Sequence, residues 1–286
     1  MRSDAGKNLS FFKILFILFS LSIIQLSANP LKMLQEKKLD VNEGELLELK
    51  TDAGDVDIKT WSSNSVYVKI LGNKKAQEEM KFEVKKTSKG VQVIAKKDNS
   101  WFGNWNGVDV RYEIKVPDKF NVDIVTSGGD IDLVDLIGEV NLNTSGGDIT
   151  AENIEGNIIG KTSGGDVGLA DVYGNIDAST SGGDIRIKGS EGQLKASTSG
   201  GDIQLDYRGE NKGISAYTSG GDIVVTIPSD FKADVYLKTS GGDIECNFEA
   251  RVEEVNDSKF VGKLHGGGPE FVCKTSGGDI EVKEAE

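Results

Sequence analysis

Seven aspartates pose the chemical question: Asp130, Asp148, Asp166, Asp184, Asp202, Asp222 and Asp243, each directly after Thr-Ser-Gly-Gly. Carboxylates repeated at a fixed interval could share a cation, work as acid–base pairs, or form a hydrogen-bonded row. Other reactive groups are few. The sole histidine, His265, stands in a glycine-rich stretch with no partner set by the pattern, and reads as a solvated loop residue. Cys246 and Cys273 occupy positions equivalent to Leu133 and Leu142, so they read as inward core thiols on opposite sheets. A disulfide between them and a pair of buried thiols are both open, because an insertion separates them and a bond needs Cα atoms within about 7 Å. Acid–base or nucleophilic catalysis needs such groups gathered in an irregular pocket. Arg186 and Arg208 do not recur in register, against an enzyme that cleaves acidic polysaccharide. The Gly-Gly-Asp turns are not phosphate loops either, because a strand pattern and not a helix follows them. No catalytic residue and no cofactor is expected.

The elements that position the aspartates form a repeat. Thr-Ser-Gly-Gly-Asp followed by Ile or Val begins at Thr126, Thr144, Thr162, Thr180, Thr198, Thr218, Thr239 and Thr275. A finer period lies beneath, with glycine every nine residues from Gly129 to Gly201. Apolar residues recur two and four places after these glycines, as at Ile131 and Leu133 or Val140 and Leu142. That is the period of a strand, so each nine-residue unit is one strand and one turn. Two units make an eighteen-residue coil, and a fixed repeat of this kind predicts a solenoid. The expected fold is all-β, a single-stranded parallel β-solenoid of about eight two-strand coils, right-handed by the general preference of parallel crossovers. Its two corners differ: Leu136, Ile154 and Val172 make one wide and apolar, while Ser-Gly-Gly makes the other narrow.

Stacking places the aspartates about 4.8 Å apart at one strand start. A calcium-binding β-roll has the same nonapeptide geometry, with Gly-Gly-x-Gly-x-Asp units. Here one turn per coil has Gly-Gly-Asp without the third glycine, and the opposite turn offers no recurring carboxylate. Calcium wants six or more oxygens, and half the set is missing. Hydrogen bonds from backbone N–H and from the hydroxyls of the Thr-Ser turn beside each aspartate are therefore expected to hold the row, with a calcium ladder as the alternative.

The charge balance is acidic, −13 over 286 residues, which disfavours nucleic acid and anionic membrane as partners. Near the start, Arg2, Lys7 and Lys13 precede an apolar run from Ile14 to Leu26, and Leu26-Ser27-Ala28 ends in small residues. This reads as a signal peptide over 1–28, cleaved near Ala28, with no further membrane segment in the mature chain. An extracytoplasmic place follows: periplasm, outer surface or secreted. Residues 29–119 read as an irregular β-rich cap with Trp61, Trp101, Phe102 and Trp105 covering the open end, and 120–286 as the solenoid. Lys89-Gly90 reads as a hairpin turn, and Phe248 to Gly268 as an inserted loop or strand pair. Pro117 and Pro228, each in a Pro-x-x-Phe stretch, read as widened corners.

A β-rich head, the Val116-Pro117-Asp118-Lys119-Phe120 junction and the repeated Ser-Gly-Gly-Asp-Ile turns together resemble the bacterial β-strand-repeat family of putative adhesins of unknown function. The resemblance runs from about Leu39 to Glu281. It implies an envelope or surface protein and brings no catalytic or binding residue with it. The expected function is thus a non-enzymatic β-solenoid serving adhesion or assembly, its partners envelope or surface proteins or glycans. A calcium-dependent β-roll-like binder is the alternative, and a polysaccharide-active β-helix enzyme comes third.

Overall fold

Alternating apolar and polar residues give every short strand one face that only a second sheet can cover. Here one chain supplies both sheets by coiling. The computed structural model describes residues 31–98 and 107–285. The first part comprises β1 (Lys32–Asp40), β2 (Leu46–Thr51), β3 (Asp55–Trp61), β4 (Ser65–Gly72), the short helix α1 (Lys74–Glu79), β5 (Met80–Thr87), β6 (Gly90–Lys97) and β7 (Val110–Pro117). Six regular coils follow: β8 (Asn121–Thr126) with β9 (Ile131–Ile137), β10 (Val140–Asn143) with β11 (Ile149–Glu155), and β12 (Ile158–Lys161) with β13 (Val167–Tyr173). The other three are β14 (Ile176–Ser179) with β15 (Ile185–Ser190), β16 (Leu194–Ser197) with β17 (Ile203–Tyr207), and β18 (Ile214–Tyr217) with β19 (Ile223–Ile227). The last part holds β20 (Ala233–Lys238), β21 (Ile244–Cys246), β22 (Ala250–Asn256), β23 (Lys259–Leu264), β24 (Glu270–Lys274) and β25 (Ile280–Glu284).

In the regular coils every strand pairs in parallel with its counterpart one coil away. Val140 faces Val122 on one side and Ile158 on the other, and Ile149 faces Ile131 and Val167. Register is fixed because a one-residue slip would turn the whole apolar set outward. Ile131, Leu133, Val140 and Leu142 are buried, as are their counterparts in the following coils. Each such side chain contributes about 1.5–3 kcal/mol by leaving water. Leu136, Ile154 and Val172 fill the wide corner and are fully buried.

Both ends abandon chain order. In the twelve-stranded sheet the order is β1-β4-β7-β3-β9, so β3 lies between β7 and β9. In the thirteen-stranded sheet β2 likewise lies between β6 and β8. The described residues before 120 therefore differ from the solenoid in regularity, while both sheets run across the boundary. At the other end the repeat pattern puts the coil of Thr275 outermost. The structure instead places β24 between β18 and β20, and β25 between β19 and β21. The reason is the insertion, which is an antiparallel strand pair: β23 takes the outer edge of β20, β22 pairs with β23, and the chain returns through the slot left open. The turn at Lys89-Gly90 joins β5 and β6 as an antiparallel hairpin. Among the described residues no helix is long and apolar enough to cross a membrane. The segment 1–28 and the side chains of Trp101, Phe102 and Trp105 lie outside the described residues.

Candidate functional site

The narrow corners bring the aspartates together. Each Thr-Ser-Gly-Gly-Asp joins a strand of the thirteen-stranded sheet to one of the twelve-stranded sheet, and stacked corners bond to each other. Asp130 Oδ1 accepts the backbone N–H of Asp148, Asp148 that of Asp166, and Asp166 that of Asp184, each at 2.8 Å. Asp184 accepts from Asp202 at 2.9 Å and Asp202 from Asp222 at 2.8 Å. Beyond this the row follows space and not sequence. Asp222 accepts from Asp279, and Asp279 from Asp243, both at 2.8 Å. At the opposite end Asp55 accepts from Asp130 at 3.1 Å. Sequence spacing found Asp243 but not the neighbour that separates it from Asp222. Asp55 ends a degenerate copy of the motif, Thr51-Asp52-Ala53-Gly54-Asp55.

The carboxylate partner is thus the next aspartate's backbone and not the turn hydroxyls beside it. Threonine serves a different column. Thr144 Oγ1 donates to the Gly129 carbonyl at 3.0 Å and Thr162 Oγ1 to Gly147 at 2.8 Å. The pattern continues to Thr275 on Gly221 and Thr239 on Gly278. These hydroxyls are buried, so each bond also avoids the cost of an unpaired polar group. Such close stacking explains the second glycine. A Cβ on Gly165 would lie 2.2 Å from the Gly147 carbonyl oxygen, whereas one on Gly164 would meet nothing nearer than 3.5 Å.

Neighbouring carboxylates about 4.8 Å apart repel by roughly 0.9 kcal/mol in water. A hydrogen bond to a charged group contributes about 1.5–3 kcal/mol, less where exposed. The bonds are of the size needed to offset the repulsion. Arg186 adds to this locally, reaching Asp184 Oδ2 at 2.7 Å and Asp166 Oδ2 at 3.2 Å. Among the described residues no group of three or more His, Cys, Asp or Glu is placed to hold a metal ion.

The wide corner carries a second ladder, outside the Thr-Ser-Gly-Gly-Asp repeat. Asn121 Oδ1 accepts the N–H of Glu139, Asn157 that of Asn175, and Asn175 that of Gln193, at 2.9 to 3.0 Å. Its bend uses Asp135, Asn153, Asp171 and Gly189, all with φ between 50° and 66°. Asp, Asn and Gly are the residues that tolerate this conformation. Their recurrence three places before the corner glycine was the available signal.

The other candidates do not meet at one place. His265 is exposed in the turn after β23, with φ 48°. Cys246 on β21 and Cys273 on β24 lie in adjacent coils and opposite sheets, as free thiols. Burial pushes both thiols up, away from the thiolate that reacts. A cleft of about 640 Å³ opens beside the Pro228 corner, between Glu210, Asn211, Phe231 and Pro269. Asn211 is committed to structure there, its amide donating to the carbonyls of Lys232 and Pro269 at 2.9 and 2.7 Å.

The family model described as Toastrack DUF4097 matches residues 45–283. The chain belongs to this family. Among curated proteins none is similar to it. Among solved structures, this Toastrack solenoid is similar to a putative adhesin from Bacteroides fragilis NCTC 9343, with 14% identity and a TM-score of 0.47, covering 89% of this chain and 97% of that one. A putative adhesin from Parabacteroides distasonis ATCC 8503 gives 15%, 0.44 and the same coverages. A putative lipid binding protein from that strain gives 14% identity, a TM-score of 0.38, and coverages of 91% and 98%.

Proposed function

We propose that this chain is a non-enzymatic, extracytoplasmic solenoid that presents a rigid extended surface for adhesion or envelope assembly, and that it folds without calcium. The supporting observation is the division of labour in the repeat. Corner Thr, Gly and Asp are taken up by bonds between coils, which leaves the outward strand positions free to vary and to meet a partner. The apolar run at Ile14–Leu26 supports export.

A deletion strain tests the proposal. Attachment or envelope integrity is expected to fall, and to be restored by the full chain but not by a chain lacking 1–28. Native protein from the complemented strain should begin near Asn29. Rescue by the chain lacking 1–28, or a native N-terminus at Met1, would overturn it.

A further inference from the structure

Strands β23, β20, β24 and β18 lie side by side near one end of the thirteen-stranded sheet. Their register sets Lys259, Lys238, Lys274 and Tyr217 in one row beside the narrow corner. The row faces outward, because the adjoining Phe260, Leu237, Cys273 and Ala216 are buried. Like charges directly opposite one another destabilise a sheet. Three neighbouring lysines are therefore unexpected in a chain of net charge −13. Lys259 has Glu254 at 2.6 Å, but among the described residues no carboxylate pairs with Lys238 or Lys274. Tyrosine rings hold the ammonium groups of Lys274 and Lys259. Lys274 Nζ stands 5.0 Å from the Tyr236 ring centre and 5.8 Å from that of Tyr217, and Lys259 Nζ 5.8 Å from Tyr236. Such contacts fix the side chains without cancelling their charge.

Next to the lysine row runs a groove of about 260 Å³ with Tyr236, Val261 and Val272 on its floor. Its far bank carries Asp234, Lys263 and Glu270, and Glu253 also lines the groove. We propose that this face binds a uronate-bearing polysaccharide. The lysines pair with successive uronate carboxylates, since their spacing of about 4.8 Å is of the order of one hexose in an extended chain. Tyr236 and the valines take the apolar face of a sugar ring, and Asp234 and Glu270 accept its hydroxyls. A neutral glycan would leave the lysine row unused. An acidic peptide would meet the far carboxylates with no hydroxyl to offer them. This deepens the surface role proposed above and rests on it only for where the ligand is met, because binding is measured on purified protein.

The experiment is titration of the purified full chain with polygalacturonate, dextran and polyglutamate at low and physiological salt. Polygalacturonate is expected to bind, weaken with salt, and exceed both controls by about tenfold or more. Lys238→Glu with Lys274→Glu should lose about tenfold or more, with the melting temperature unchanged. Should that pair fail to fold, Lys238→Gln with Lys274→Gln replaces it, with a loss again expected. Tyr236→Ala should weaken polygalacturonate by a larger factor than any polyglutamate binding, because the ring both stacks on the sugar and fixes the lysines. Dextran binding as tightly, polyglutamate binding as tightly, or lysine variants that bind as the parent does would each overturn the proposal. None of these outcomes bears on export, so the surface role stands or falls separately.

Discussion

The six middle coils and the two ends solve the same packing problem differently. In the middle, chain order equals spatial order, and one set of corner bonds repeats at each step. At the ends a coil is enclosed out of order, β2/β3 by β6/β7 at one end and β24/β25 by β20/β21 at the other. At the first end the corner chemistry changes as well, from the first regular coil outward. Thr51 and Thr126 turn their hydroxyls onto carbonyls of their own turns, Ala53 at 2.7 Å and Gly128 at 2.9 Å. Thr51 also meets the buried Tyr112 hydroxyl at 2.7 Å. At the far end Tyr207, Phe231 and Phe271 pack edge to face, with centroids 5.6 and 6.1 Å apart. A periodic ladder propagates a solenoid but offers an unpaired edge wherever it stops. Interleaving makes the last coils mutually dependent, and antiparallel strands then form three of the four sheet edges, with the short parallel β21 at the fourth.

Removing residues 275–286 should therefore have the largest effect. It takes away the strand that both β19 and β21 pair with, together with buried Ile280 and Val282. The expected loss exceeds about 4 kcal/mol, with protease cutting concentrated in 233–274. A urea midpoint that moves no further than for a surface substitution would show that the enclosed coil is dispensable.

A smaller and sharper contrast lies in the middle. Gly165→Ala drives a Cβ into the neighbouring backbone and should cost about 3 kcal/mol. Gly164→Ala should stay within about 0.5 kcal/mol, as Ala53 already occupies the equivalent position in the first coil. Equal shifts in the two denaturation curves would break the stacking argument.

The sequence showed the middle almost completely, because every turn there repeats the same local demands. Spacing located the glycine column, the inward aliphatics and seven of the nine aspartates in the row. Asp279 follows Thr-Ser-Gly-Gly like the others, but its place between Asp222 and Asp243 depends on where the β22–β23 pair sends the chain, which is a long-range choice. The partner of each carboxylate was also misassigned to its own turn, since a periodic sequence does not say whether a bond closes within a coil or between coils. The Lys–Tyr row is still less visible. Lys238 and Lys274 each stand directly before a Thr-Ser-Gly-Gly turn, but Lys259 obeys no period, and only the interleaved strand order makes the three neighbours.

The smallest expected effect separates the two readings of the aspartate row. Asp148 Oδ1 accepts the Asp166 N–H, while its own N–H goes to Asp130. Asp148→Asn keeps an acceptor oxygen and removes one of a line of like charges, so stability should change by less than about 0.5 kcal/mol. Asp148→Ala leaves the Asp166 N–H without that acceptor and should cost about 1 kcal/mol. Asp55→Ala, at the end where the bond is longer at 3.1 Å, should cost less than Asp148→Ala. The melting temperature of the parent chain should be the same in excess EDTA and in millimolar calcium. A shared cation reverses these expectations: asparagine would then cost as much as alanine, EDTA would lower the midpoint, and calcium would restore it. Loss of one carboxylate from such a site is felt by its neighbours on both sides. Loss of one hydrogen bond is confined to a single step between coils, and that difference in reach is what the Asp148 pair of variants measures.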